Sequence, residues 1–461
     1  MRLDWYQALP KSRRRKGISL IEVMIGIAIT SAVLLIMIQF FNQMSKEIAK
    51  GRAIIEMASQ GRSIGELLRS DLAAATVKPS VWTEHATPNG YFEIIEGARN
   101  DSTSLLTAST DDDYIGDMDD VAAFTARSTS RQYRGRFRGF NAGRFSNTSS
   151  VIESELAEIV WFSGFRDLDV DGIPEHDDQV NVYRRALVIR PDLNSNAAFQ
   201  AIRLDFDPGA GIDEISIFYE YNDISVRWEL VAGITFRPVA NSLEDLAIRA
   251  NRFGRYVTAF PNELTLIRLN SLIIPNNTSV AAPRPAILAN GFGTDLVLAN
   301  IGAFDIRVYS PNAVVGTVGN DLVQPGDPGF GGLALTSGEG AYVDLAYASA
   351  AAGSTAIWFS EVSASRPVGN APYVWNRNTW CSWSPSYEKD GIDQDDDGTV
   401  IDEATDQLDS NANAIVDDWA ERETIPPYPY AIRGIQFTIR SIEKNTGQLR
   451  QFQVESSFVP E

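Results

Sequence analysis

The chain predicts an α+β fold, with one long N-terminal helix packed on an antiparallel β-sheet domain that carries large loop insertions. Three observations predict it. Residues 18–41, ISLIEVMIGIAITSAVLLIMIQFF, form an apolar run of 24 residues with one ionisable side chain, Glu22. No proline follows until Pro79, and Ile64, Leu67, Leu68 and Leu72 recur at helical spacing, so the helix continues beyond the apolar run. From about residue 90, short apolar stretches alternate with Gly, Pro, Asn and Asp, the pattern of antiparallel strands and turns.

The helix comes first. At about 1.5 Å per residue the apolar run spans roughly 36 Å, enough for a hydrocarbon layer of ~30 Å with some tilt. Arg13, Arg14, Arg15 and Lys16 precede it directly. The positive-inside bias therefore keeps residues 1–17 cytoplasmic and puts the chain after the helix outside. A secretory signal is cut after its apolar core, which is then lost. Here the small residue, Gly17, precedes the core, so a cut between Gly17 and Ile18 keeps the membrane helix. The expected organisation is a leader at 1–17, a transmembrane helix at 18–41 and an amphipathic continuation at 42–78. The β-rich ectodomain fills 79–461, with acidic insertions near 165–180 and 388–420. Gly51, Gly61 and Gly65 each weaken the helix by up to ~1 kcal/mol relative to alanine and mark it for bending.

The residues G-ISLIEVM resemble the cleavage and methylation motif of type IV prepilins and type II secretion pseudopilins. Ile18 stands where that motif most often has phenylalanine. The resemblance implies that a prepilin peptidase cuts Gly17–Ile18 and that the new amine of Ile18 is methylated. It also gives Glu22 a role, because the pilin carboxylate at this place faces the α-amine of a neighbouring subunit. A carboxylate in a bilayer costs on the order of 2.5–3.5 kcal/mol at the centre. Opposite charges about 4 Å apart at an effective dielectric near 20 attract by about 4 kcal/mol, which offsets that burial. The alternative is a carboxylate that snorkels to the interface of a simple membrane anchor.

Further along, ELAEIVWF, VYRRALVI, DLVLANIGAFDIRVYS and PYAIRGIQFTIRSIE resemble successive strands of the minor pseudopilin J family of type II secretion. The minor pilin W family of type IV pili is the next most similar. The resemblance implies a structural role at the tip of a periplasmic pseudopilus, in the inner membrane. The implied partners are the other minor pseudopilins and the major one, with no catalytic activity. This chain is longer than typical J pseudopilins, and the added length falls in loops and acidic insertions.

Composition narrows the chemistry. The chain carries a formal charge of −20, with 60 acidic against 40 basic residues. The leader holds six basic residues and one acid, so residues 18–461 stand at −25. Such a chain binds nucleic acid and anionic lipid poorly and suits cations. A single cysteine, Cys381, excludes an internal disulfide, and its setting in WCSW reads as a buried apolar position. Two histidines, His85 and His176, offer little for zinc or imidazole catalysis.

The clearest predicted strands are VAAFTARS, LAEIVWFSGF, NVYRRALVIR, EISIFYEY, DLVLANIGAFDIRVYS and AIRGIQFTIRSIE. The last pairs with Leu449 to Phe458 across a turn at 444–447, and residues 310–340 read as a long glycine-rich loop.

Two acidic insertions have calcium-loop spacing. DLDVDGIPEHDD sets Asp167, Asp169 and Asp171 at positions 1, 3 and 5, Gly172 at 6, Glu175 at 9 and Asp178 at 12. Calcium wants six to eight oxygens, and a loop of this kind wraps it. DxDxDGIPE is also similar to the loops of thrombospondin type 3 repeats. In the second insertion Asp393, Asp395 and Asp397 open such a loop with Gly398, and Asp402 follows at position 10. Asp409, Asn411, Asn413 and Asp417 fit a further one at 1, 3, 5 and 9. A structural calcium ion is therefore the expected cofactor. TDDDYIGDMDD at 110–120 has six aspartates without that order and reads as a solvated loop.

Two other patterns are set aside. Arg127, Arg131, Arg134, Arg136, Arg138 and Arg144, interleaved with aromatics, resemble a single-strand grip, but in so acidic a chain they suit pairing with acidic loops or a neighbouring subunit. Gly61-Arg62-Ser63-Ile64-Gly65 matches GxSxG, yet a nucleophile elbow needs a strand before the serine and a partner histidine.

Overall fold

The computed structural model describes residues 19–79, 89–95, 116–118, 120–141, 143–166, 179–207, 212–248, 251–253, 296–311, 313, 315–318, 321–325, 330, 335–336, 340–345, 379–382, 432–443 and 448–458. The chain divides into two units, Met1–Glu56 and Met57–Glu461. Helix α1 runs uninterrupted over Leu20–Ala73 and so belongs partly to each.

In the first unit α1 is apolar from Leu20 to Phe41, with every side chain exposed. Its one hydroxyl before Asn42 outside Ser31, that of Thr30, donates to the carbonyl of Gly26 at 2.7 Å. The polar group is thus satisfied within the helix.

In the second unit the rest of α1 packs one stripe. Met57, Gly61, Ile64, Leu68 and Leu72 are buried and recur three to four residues apart, one face of a helix. Burying a side chain such as Leu68 contributes about 1.5–3 kcal/mol. Leu67, expected on this stripe, is 37% exposed, because a neighbour in sequence turns about 100° away. The helix continues through Gly61, whose value is close approach. A Cβ there would sit 2.7 Å from the Phe452 ring. The GxSxG residues lie inside α1, with no strand before the serine.

Behind the helix stands a six-stranded antiparallel sheet in the order Leu296–Ala299, Gln179–Val188, Leu156–Arg166, Val121–Arg127, Phe92–Ile95, Thr379–Cys381. Its central strands read as nearly unbroken apolar runs because both faces are buried. Ile159 and Trp161 join the core on the α1 side, while Val160 and Phe162 join a second core on the other face.

A four-stranded sheet completes the α1-side core, in the order Ala341–Val343, Ile301–Ser310, Gly434–Glu443, Gln448–Ser457. Phe304, Ile306, Phe437, Ile439 and Val454 point into that core. The expected strand DLVLANIGAFDIRVYS is two strands, broken at Asn300, which has φ 56°. Asparagine tolerates this left-handed geometry, and the break passes the chain from one sheet to the other. The final hairpin is observed in full register, from Gly434↔Ser457 to Glu443↔Gln448, and its turn at 444–447 lies outside the described residues.

Two expectations are corrected. EISIFYEY is a helix, Ile215–Tyr221, although its β-branched and aromatic composition predicts a strand. Ile215, Phe218 and Tyr219 are buried at i, i+3 and i+4, and Phe218 meets Phe199 and Trp228 ring to ring. Packing decides against propensity there. The 310–340 stretch, expected as a loop, contains a small sheet of Val315–Val318, Asp321–Val323 and Leu335–Thr336.

Candidate assembly stem and the residue that docks it

The stem is built from the apolar first half of α1, which is long and apolar enough to cross a membrane by length and composition. Leu20 is 80% exposed and Phe40 63%, in a face without charge until Lys46 apart from Glu22. An apolar surface of this extent marks contact with lipid or with neighbouring chains. Glu22 lies in the first turn and accepts a long hydrogen bond, 3.4 Å, from the Ser19 amide. A carboxylate belongs at this end of a helix, where the free amides and the dipole are positive. The bond is weak, so Glu22 is available to a stronger partner such as an amine. Gly17 and Ile18 lie outside the described residues.

At its other end α1 carries a residue that sequence reasoning missed. Asp71 is 4% exposed and accepts from Arg184 twice, at 2.5 and 2.7 Å, and from Trp161 Nε1 at 2.9 Å. An acid in the last turn of a helix opposes the dipole. Its presence there is explained by the bidentate arginine from the sheet. An Asp within an apolar helical stripe was the signal available in the sequence. The helix is then stitched on: Thr76 N donates to Thr125 O at 2.8 Å and Arg127 N to Ala74 O at 2.7 Å.

The candidate calcium ligands Asp167, Asp169, Asp171, Glu175, Asp178, Asp393, Asp395, Asp397, Asp402, Asp409, Asn411, Asn413 and Asp417 all lie outside the described residues. The strands that flank the first insertion do not. Arg166 and Gln179 are register partners, so residues 167–178 connect two strands of one hairpin.

Within the arginine-rich segment, Arg134 and Arg136 pair with carboxylates of this chain. Arg134 bonds Glu153 at 2.8 Å, and Arg136 bonds Asp223 at 2.9 and 3.2 Å. Arg138 lies over the Tyr221 ring at 4.8 Å. Cys381 is buried, and Arg252 Nη1 donates to its sulfur at 3.1 Å.

Residues 12–38 match the prokaryotic N-terminal methylation motif. This is the type IV pilin-like prepilin signal, and it covers the basic residues 13–16, the expected cut at Gly17–Ile18 and most of the stem. The motif agrees with processing by a prepilin peptidase and with assembly beside other pilin-like subunits in a membrane system. No curated protein and no solved structure matches the chain.

Proposed function

We propose that this chain is a minor pseudopilin, J-like, of a type II secretion system, acting as a structural subunit at the tip of a periplasmic pseudopilus. A prepilin peptidase cuts Gly17–Ile18, the new amine is methylated, and the stem holds the chain in the inner membrane before it joins the pseudopilus. The observation that carries the reading is an exposed apolar stem with a single carboxylate, Glu22, most of it within the methylation motif at 12–38. The large ectodomain suits a tip, because a repeating shaft packs one small subunit many times.

Glu22→Ala is the test of assembly. The variant should still insert in the membrane and be cut, while its co-purification with the other pilin-like subunits falls to background. Undiminished incorporation would remove the amine-pairing role. Mass spectrometry of wild type should find Ile18 as a methylated N-terminus. Recovery of the chain with retraction-pilus subunits in place of secretion subunits would move the reading to a minor pilin or adhesin.

We further propose that the two acidic insertions hold structural calcium through Asp167, Asp169, Asp171, Glu175 and Asp178, and through the 393–417 set. The support is their spacing: like charges so close repel one another until a cation joins them. Chelation by EGTA should lower the melting temperature of the full chain in detergent, and added calcium should restore it. An unchanged melting curve across a calcium titration removes this part.

A further inference from the structure

We infer that the second unit contains a buried site for a hard divalent cation, formed by Asp117, Asp120 and Asp305 with the hydroxyl of Thr438. None of these four residues belongs to the two acidic insertions. In the stretch TDDDYIGDMDD, which reads as solvated, Asp117 is 1% exposed and Asp120 0%. Backbone pairing fixes this segment against the start of the Ile301–Ser310 strand. Gly116 N donates to Gly302 O at 2.6 Å, and Phe304 N donates to Asp117 O at 2.7 Å. One step further on, a side chain takes the place of a strand, as Ile306 N donates to Asp120 Oδ2 at 2.6 Å.

Phe304 and Ile306 face the core, so Asp305 between them faces the opposite side of the sheet. There one carboxylate oxygen from each of Asp117, Asp120 and Asp305 lies within 4.8 Å of the others. Three buried acids at such distances either hold protons or meet positive charge. Arg307 supplies part of it, but its guanidinium serves both Asp305, at 2.9 Å, and Asp344, at 3.0 Å.

The observation that points to an ion is Thr438. It is the direct register partner of Asp305, so the two side chains stand on the same face of the sheet. Its hydroxyl oxygen is buried and has no hydrogen-bond partner, in a residue only 2% exposed. Gln436, the next residue along this face, likewise leaves Oε1 buried without a partner. Buried hydroxyls are nearly always bonded. Hydroxyl, amide and carboxylate oxygens together are the donor set of calcium or magnesium, and the cluster has no histidine or cysteine to favour zinc.

The test uses the full chain in detergent, with Asp167, Asp169, Asp171, Asp393, Asp395, Asp397, Asp409 and Asp417 changed to Asn so that the insertions fall silent. After EGTA treatment and dialysis against calcium, elemental analysis should find about one ion per chain. Thr438→Val, which keeps the shape of the side chain, should weaken that binding by about tenfold or more. Asp117→Asn should abolish it. As an independent readout in wild type, hydrogen exchange of the peptide that holds Ile306 should slow about tenfold at calcium ten times its Kd. Magnesium binding in place of calcium would support the site and name its ion. No binding of either ion, with exchange at Ile306 unchanged, would show that arginine and bound protons balance these acids and would overturn the inference.

Discussion

Replacing Asp71 with leucine is expected to destabilise the Met57–Glu461 unit by about 3–5 kcal/mol, the cost of removing one partner from a buried ion pair. The carboxylate takes three hydrogen bonds, two from Arg184 and one from the indole of Trp161. Leucine accepts none of them, so Trp161 Nε1, in a side chain that is fully buried, keeps its desolvation cost and gains nothing. The dipole works in the opposite direction, since removing an acid from the last turn of α1 returns only about 0.3–1 kcal/mol. The loss therefore dominates. Chemical denaturation of the full chain in micelles measures it. Arg184→Leu in the same chain should recover part of the loss, because it removes the charge left behind. A loss below about 1 kcal/mol would mean that apolar packing holds the helix and that the ion pair only orients it.

Glu158→Leu should cost on the order of 3 kcal/mol or more, since three donors lose their acceptor at about 1–3 kcal/mol each. Tyr91 Oη donates to Glu158 at 2.7 Å, Ser225 Oγ at 2.6 Å and the Phe253 amide at 2.8 Å. These donors come from three separate segments, so the carboxyl ties them to the sheet. Beside it, Arg252 pairs with Glu93 at 3.0 Å and lies over the Tyr91 ring at 4.0 Å.

This group also makes stability depend on pH. Burial pushes the Glu158 carboxyl above the ordinary range, and the bonds from Phe253, Ser225 and Tyr91 and the charge of Arg252 offset this only in part. The phenol of Tyr91 is pushed well above its usual value, first by burial and then by Glu158, and so stays a neutral donor. Because the folded form of Glu158 holds its proton more tightly than the unfolded form, its contribution is complete below the unfolded pKa of about 4.3. The contribution is lost as pH rises through the raised folded value. Glu158→Gln cannot ionise, so the stability of wild type relative to this variant should fall as pH increases across that window. A difference that stays flat from pH 4 to pH 8 would contradict the assignment.

Both residues were legible only in part. Asp71 interrupts a helical apolar stripe, and Glu158 is the single acid within LAEIVWF, so each could be marked as a polar group that needs a partner. Which partner was another matter. Arg184 is 113 residues from Asp71 and Phe253 is 95 from Glu158. Such pairings depend on strand order and register. By contrast the strands at 121–127, 156–166, 179–188 and 434–443 were readable locally, because residues that face two cores make long apolar runs.

The helix at Ile215–Tyr221 is the opposite case. Its composition favours a strand, and a pocket of aromatic rings from other segments selects the helix. In Asp117 and Asp120 the local reading fails for the same reason. Acids in a glycine-bearing stretch look solvated until the chain returns with Asp305 to bury them.

What the sequence by itself determined is the stem: a basic run, a methylation motif with one acid and an apolar run, all within about 30 residues and needing no other part of the chain. Period and charge along one helix are local quantities. Only the tertiary structure decided which acids are buried, what they bind and where the second half of α1 is anchored, because burial and pairing arise between segments far apart in the chain. The same carboxylate is a solvated charge on a loop and a ligand or docking point inside a core, and the difference lies in its neighbours.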